Sequence, residues 1–427
     1  MQKPKRIMTD PDTGKEVKMP KITKGLIRAN INNGPALYNL GTYEVQQGNF
    51  LDGEKVLSKA WEVEKNPETL LNLSTCYKFN GSSAKAAKAL AECIRRWPNF
   101  ALAYNNLGLI NYDNNQFDAA VNNYRTAIKI TPDYADAHWN LGLALGLDYF
   151  SPSQLFNASI QDFMTEYSWR FKKTNPVALA GTLGTPEWDG SPLGDRKLII
   201  LCEQGFGDMI QFMRYAYQFP VANVILHVPE ALVPVVKSEY TITHVSTFPH
   251  DVWIAMCNLL KYVPVGPGVP YIRIPQYEKL LSNSKPNIGI VWKGSAKHAN
   301  DKQRSLHYRD FLWLLKYGNV YSLQKDEVTK NAKDILPTKL GTWFDTARYI
   351  NSMDLVVSVD TSVAHLVGAM GKPVITLIPS NGIDWRWGRY GESTVWYDSM
   401  RLCRSRDMVR CEEMVNDFLN NGNKFSN

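Results

Sequence analysis

LVVSVDTSVAHLVGAMGKPVITLIP, residues 355–379, carries the reading of the fold. Leu355 to Val359 form an apolar run of strand length, and Asp360-Thr361-Ser362 then supply the side chains that favour a helix start. Gly371 reads as the helix C-cap, and Pro373 opens a second apolar run, PVITLI (373–378). Unbroken Val/Ile/Leu runs joined by a helix point to a parallel sheet buried on both faces. Runs of the same kind stand upstream: KLIILC (197–202), NVILHV (223–228), TITHV (241–245), NIGIVW (287–292) and NVYSLQ (319–324). Helices are expected over 208–219, 308–316, 343–352 and 362–371. The Pro/Gly-rich VPVGPGVP (263–270) and the polar SNSKP (282–286) interrupt the series. The simplest arrangement is two α/β lobes, 186–280 and 286–427, joined near 275–286.

Before residue 150 the pattern is a repeat. Leu40-Gly41, Leu73-Ser74, Leu107-Gly108 and Leu141-Gly142 stand at spacings of 33, 34 and 34. Ala60, Cys93 and Ala127 repeat in a second phase, and Pro98 and Pro132 in a third. The cleanest unit is NNLGLINYDNNQFDAAVNNYRTAIKITP, residues 105–132. It resembles the tetratricopeptide repeat, whose paired helices approach closely through small residues and end at a proline. About three and a half repeats fill residues 36–150, within a helical domain expected over 36–175.

Composition narrows the setting. Of 427 residues 44% are hydrophobic and 21% charged, which fits a chain of several folded domains and excludes wholesale disorder. No run reaches the roughly 18–20 apolar residues of a membrane span, and MQKPKRIMTDPD lacks the apolar stretch of a secretory signal, so no membrane insertion is expected. Six cysteines without a C-x-x-C pair fit buried thiols in a reducing, cytoplasmic setting. Residues 1–35 hold eight Lys/Arg against three acids, a net +5 of the chain's +7. This basic N-terminal arm is either a solvated tail or a binder of phosphate backbones such as DNA.

Three segments are candidates for chemistry. In CEQGFGDMIQFMRYA (202–216), Gly205 and Gly207 bend the chain at a strand end, and Asp208 falls in the first turn of the next helix. Asp208 there reads equally as a helix cap or as a catalytic group. The third glycine of a dinucleotide fingerprint is replaced by Ile210, and no Gly-Lys-Ser/Thr of a P-loop follows. In VWKGSAKHANDKQRSL (291–306), Lys293, Lys297, Lys302 and Arg304 against Asp301 make a loop that is either solvated or placed to wrap phosphate oxygens. In the opening stretch, Asp360, Thr361 and Ser362 lie at a helix start suited to a diphosphate, with His365 one turn in. His365 alone also fits a structural histidine. IDWRWGRYG (383–391) either stacks a ligand ring or plugs a cleft between lobes. The only Asp-x-Asp is Asp10-Pro11-Asp12 in the basic arm, and no metal site is expected.

Taken with YSWRF (167–171), SLQ (322–324) and FDTARYINSMD (344–354), these segments resemble one family. It comprises bacterial and phage tetratricopeptide proteins with a heptosyltransferase-like glycosyltransferase domain. The resemblance covers about residues 36–420. It implies a fold of α plus α/β class: helical repeats followed by two Rossmann-like lobes of the GT-B type, the first on the acceptor side and the second binding the nucleotide sugar. It implies a metal-independent, inverting transferase with no cofactor beyond the nucleoside-diphosphate sugar it consumes. Asp208 matches the aspartate proposed as catalytic base. Lys293 matches the position that pairs with donor phosphates. Asp360, Thr361, Ser362 and His365 match the donor-binding Asp-Thr-x-x-x-His, with Ser362 where the family usually carries glycine. Gly205, Gly207 and Gln324 complete the implied donor contacts. The first lobe looks shorter than in stand-alone heptosyltransferases, and acceptors normally contact that lobe. The expected acceptor is macromolecular: a protein recruited by the repeats, a glycan, or a hydroxymethylated DNA base reached through the basic arm. The alternative is a tetratricopeptide adaptor whose transferase domain has lost its chemistry.

Overall fold

A computed structural model of the chain describes residues 30, 32–151, 158–177, 184–237, 239–266, 268–274, 280–281, 284–296, 301–325, 334–422 and 425, with the backbone of 7–9 and 16–18. Those last two segments are short antiparallel strands, β1 (Ile7–Thr9) and β2 (Glu16–Lys18); the rest of the basic arm before Asn30 lies outside the described residues. The chain divides into two compact units, Met1–Leu141 and Gly142–Asn427.

The first unit is built of antiparallel helix pairs: α1 (Gly34–Gln46) with α2 (Phe50–Val63), α3 (Pro67–Phe79) with α4 (Ser83–Arg96), and α5 (Ala101–Asp113) with α6 (Phe117–Ile130). A seventh helix, α7 (Ala135–Tyr149), begins in this unit and ends in the second. Each repeat-phase glycine or small residue marks a close approach. A Cβ on Gly41 would stand 2.5 Å from Leu57 Cγ, and one on Gly108 the same distance from the Tyr124 ring. Ala60, Cys93 and Ala127 are buried in the same packing. Asn66 caps α3 by accepting from the Thr69 N–H at 2.8 Å, and Pro67 occupies the first helical turn, where its missing N–H costs nothing.

The second unit holds two parallel sheets. In chain order the first has β3 (Leu198–Leu201), β4 (Val224–His227), β5 (Thr241–Thr243) and β6 (Val252–Ala255), arranged spatially β5-β4-β3-β6. The second has β7 (Asn287–Val291), β8 (Asn319–Ser322), β9 (Leu355–Val359), β10 (Val374–Leu377) and β11 (Met400–Cys403), arranged β8-β7-β9-β10-β11. The helices of this unit are α8 (Ile160–Tyr167), α9 (Phe206–Ala216), α10 (Asp301–Arg304), α11 (Trp343–Asn351), α12 (Ser362–Ala369) and α13 (Met408–Asn420). Segment 308–316, read as a helix from sequence, is 3-10. Strands β6 and β11 are ones that periodicity did not single out. VWIA and MRLC are four residues each, and Arg401 breaks the apolar run of the second, an edge strand.

Strand order fixes where a ligand fits. Neighbouring strands leave in opposite directions between β3 and β6 in the first sheet, and between β7 and β9 in the second. Open α/β sheets bind ligands at the carboxyl ends of strands beside such switch points. The segments that leave those ends are 202–208 after β3, 292–296 after β7 and 360–362 after β9. Among the described residues, no helix is long and apolar enough to cross a membrane.

Candidate active site

The loop after β3 is shaped by an ion pair that no solvent reaches. Arg170, from the YSWRF segment, is fully buried; its Nε donates to Glu203 Oε2 at 2.7 Å and its Nη2 to Asn258 Oδ1 at 2.8 Å. Glu203 also accepts from the Cys257 N–H at 3.2 Å. Gln204, next in sequence, takes a left-handed φ of +62° and donates through Nε2 to the Tyr167 hydroxyl at 2.7 Å. Tyr167 and Arg170 thus hold Glu203 and Gln204, and the chain turns at Gly205 into α9. This accounts physically for the pairing of YSWRF with CEQGFGD.

Asp208 is the third residue of α9, and both of its oxygens have partners. Oδ2 accepts the Gly205 N–H at 2.9 Å, as a helix-capping carboxylate does, while Oδ1 forms an ion pair with Arg386 Nη2. Burial raises the Asp208 pKa above the ordinary aspartate value, with the Arg386 charge opposing and Asp384 adding to the rise. Arg386 belongs to the 383–391 segment of the second lobe, so this contact joins the two lobes at the mouth of both sheets.

The starts of α9 and α12 meet. A Cβ on Gly207 would lie 3.1 Å from His365 Cδ2 and 3.5 Å from Ser362 Cα, so glycine permits this approach. Among the described residues no side chain caps α12; the Thr361 hydroxyl lies 3.2 Å from Ser358 Oγ. His365 is buried, stacked on Trp387 at 5.2 Å between ring centroids, with Nδ1 3.0 Å from the Tyr397 hydroxyl. Burial, then the Arg386 charge, push its pKa down to about 3, so it is neutral at physiological pH. Asp360 lies just before α12. Burial and then the Asp384 carboxylate raise its pKa to about 6, and its backbone carbonyl accepts from Arg304 Nη1 at 3.1 Å.

Lys293 leaves the carboxyl end of β7 at the switch point. Its backbone N–H donates to Gln324 Oε1 at 3.1 Å, and the Gly294 N–H donates to Ser305 Oγ at 3.0 Å, which fixes the course of the loop. Gln324 therefore braces the Lys293 backbone, a role that spacing did not suggest. Lys297, read from sequence as part of this basic loop, lies outside the described residues.

The segment 383–391 is more central than its sequence indicated. Trp385 and Trp387 are each 2% exposed, and Trp385 packs among Phe150, Phe163, Tyr167, Phe212 and Trp396. The tryptophans fill the space between lobes, as the cleft-plugging alternative requires. Gly388, at φ +62°, passes so close to the Phe150 carbonyl that a Cβ would stand 2.4 Å from it. From sequence the segment reads as stacking a ring or plugging the cleft, with no pairing of its arginines to Asp208, Asp384 or Gln211; Asp384 and Gln211 each touch the Arg386 guanidinium.

Residues 110–147 match the TPR repeat model, and residues 339–401 match the model of glycosyltransferase family 9 (heptosyltransferase). The second match contains Asp360, Thr361, Ser362, His365 and Arg386. Protein FlbA of Caulobacter vibrioides is 22% identical over 423 aligned positions, covering 81% of this chain and 66% of FlbA. The chain thus spans just under two thirds of that relative's length. Among solved structures, MamA is 24% identical with a TM-score of 0.31, covering 35% of this chain and 85% of MamA. YrrB, described as a TPR protein with an unusual peptide-binding site, is 16% identical with a TM-score of 0.29, covering 33% of this chain and 73% of YrrB. The chain carries tetratricopeptide repeats and a glycosyltransferase family 9 domain.

Proposed function

From that pairing of repeats with a family 9 domain, we propose that the protein is a nucleotide-sugar-dependent, inverting glycosyltransferase acting on a macromolecular acceptor. The observation that carries the reading is the convergence of the α9 and α12 starts, with His365 between them and Lys293 at the switch point of the second sheet. Helix starts and a lysine suit a diphosphate. In the proposed reaction Asp208 takes the proton of an acceptor hydroxyl as its oxygen bonds the anomeric carbon. The bond from that carbon to the diphosphate breaks, and the electron pair leaves on the nucleoside diphosphate. Lys293 and the amides at the start of α12 stabilise the departing charge by preorganised electrostatics, and on this reading no metal is required.

The test is calorimetric titration of the full chain with UDP-, ADP-, GDP- and CMP-sugars, with and without EDTA. Micromolar binding of one donor that survives the chelator supports the reading. Lys293→Ala is expected to weaken that binding by about ten-fold or more, the loss of one charge-assisted contact. An unchanged dissociation constant would remove Lys293 from the phosphate site.

A second reading has its own observation. Asp208 caps α9 and pairs with Arg386, contacts that a scaffold without chemistry would also use to join its lobes. The repeats would then serve protein partners alone. Folded protein that binds none of the four donors selects this reading. For the acceptor, loss of activity on deleting residues 1–35, together with steep inhibition by salt, would favour DNA over protein or glycan.

A further inference from the structure

We propose that Asp384 is a positioning residue for Asp208. Its carboxylate neutralises Arg386, so that the guanidinium orients Asp208 while the three groups together keep one unit of negative charge. The consequence for catalysis rests on Asp208 being the base; the charge arrangement itself does not.

The geometry is that of one cation shared by two acids. Arg386 Nη1 donates to Asp384 Oδ1 at 2.9 Å and Oδ2 at 3.1 Å, Nη2 pairs with Asp208 Oδ1, and Nε donates to Gln211 Oε1 at 2.6 Å. The Arg386 backbone N–H also donates to Asp384 Oδ1, at 3.0 Å. The guanidinium lies 4.4 Å from the Trp385 ring centroid and 5.7 Å from that of Phe212, which fixes its plane. All three guanidinium nitrogens are therefore engaged before any substrate arrives. Burial would raise the Asp384 pKa, but the Arg386 charge and hydrogen bonds hold it below the ordinary value, so Asp384 stays ionised.

The electrostatic consequence has a definite sign. An aspartate paired with one arginine typically loses one to three units of proton affinity. A general base works best with its pKa near the operating pH. Burial raises the Asp208 pKa, Arg386 opposes it and Asp384 offsets part of that opposition, so Asp208 ends above the ordinary aspartate value. The other groups facing Asp208 are Glu203, whose charge is matched by Arg170, and the Tyr167 hydroxyl and Cys257 thiol, both kept neutral by burial. His365, across from Gly207, is neutral as well.

The experiment is a carbon-13 NMR titration of the full chain labelled at aspartate Cγ, with Asp208 assigned by the loss of its signal in Asp208→Asn. In Asp384→Asn the Asp208 midpoint is expected to fall by about one pH unit or more. In Arg386→Gln it should rise, and in the double variant it should lie between the two. A purely structural role gives no such opposed signs. An Asp208 midpoint that stays or rises in Asp384→Asn overturns the proposal; Asp384→Ser, also uncharged, replaces it if the asparagine variant does not fold. Where transfer is measurable, Asp384→Asn should move the acidic limb of the rate profile to lower pH and reduce the plateau about ten-fold. Opposed midpoints in a protein that binds no donor would sink the transferase reading and leave the charge arrangement. Transfer with an unmoved midpoint would do the reverse.

Discussion

Asp208→Asn is expected to lower glycosyl transfer by about 10²–10⁴-fold, the usual contribution of a positioned general base, while donor affinity changes by no more than a few-fold. The split follows from where the groups sit. Asp208 belongs to α9 of the first lobe, where its carboxylate is engaged by the Gly205 N–H and by Arg386, whereas Lys293, Asp360, Thr361 and Ser362 belong to the second lobe. Asparagine still presents a carbonyl oxygen to the Gly205 N–H, so the start of α9 keeps a cap of similar strength. What is lost is the proton acceptor and the charge facing Arg386. The pH dependence gives a second reading of the same group. A base acts when ionised, and burial raises the Asp208 pKa, so wild-type transfer should decline with acidification at a pH above the ordinary aspartate value of about 3.9. Turnover within two-fold of wild type in the asparagine variant would remove Asp208 as the base, and its capping and ion-pair contacts would then account for it.

The elements legible in the sequence were those that announce themselves locally. Leu355 to Val359 and Asn287 to Val291 read as buried strands because both faces of each are covered, and the repeat showed itself in three phases because each helix pair needs a small residue at the same place. Asp360 to Ser362 could be placed at a helix start from residue types alone. What could not be read is what folding brings together from afar. Arg386 lies 178 residues from Asp208 and 175 from Gln211, and nothing in IDWRWGRYG shows that its arginine faces inward between two tryptophans. Gln324 was read as a donor contact from its place in a motif, but its side chain accepts from the Lys293 backbone, a bond visible only once β7 and β8 pair. Arg170 stands in YSWRF with nothing local in the sequence to explain it. Its reason is an acid 33 residues away, brought beside it only when β3 enters the sheet.

That pair carries the largest expected effect on stability. Arg170→Met should destabilise the second unit by about 3–5 kcal/mol, because it leaves the Glu203 carboxylate buried at the end of β3 without its cation. For a unit of this size the unfolding transition should drop by roughly 6–20 °C, read by scanning calorimetry as a downward shift of that transition while the transition of the repeats stays in place. The double variant Arg170→Met with Glu203→Leu should recover much of the loss, since a buried pair is replaced by apolar groups rather than broken. The double variant separates two uses of the pair. If the pair serves stability alone, the recovered protein should bind donor and turn over as wild type does. If it also sets the path of Gln204 and Gly205 into α9, the recovered protein should melt normally yet transfer at least ten-fold more slowly, because Asp208 sits at the end of that path and small misplacement of a reacting group is costly. The structure favours the second outcome, because Tyr167 and Arg170 hold two consecutive residues of the loop and Gln204 is fixed in a left-handed conformation between them. A single Arg170→Met variant melting within 2 °C of wild type would show that Glu203 finds another partner, and the loop would then need a different anchor.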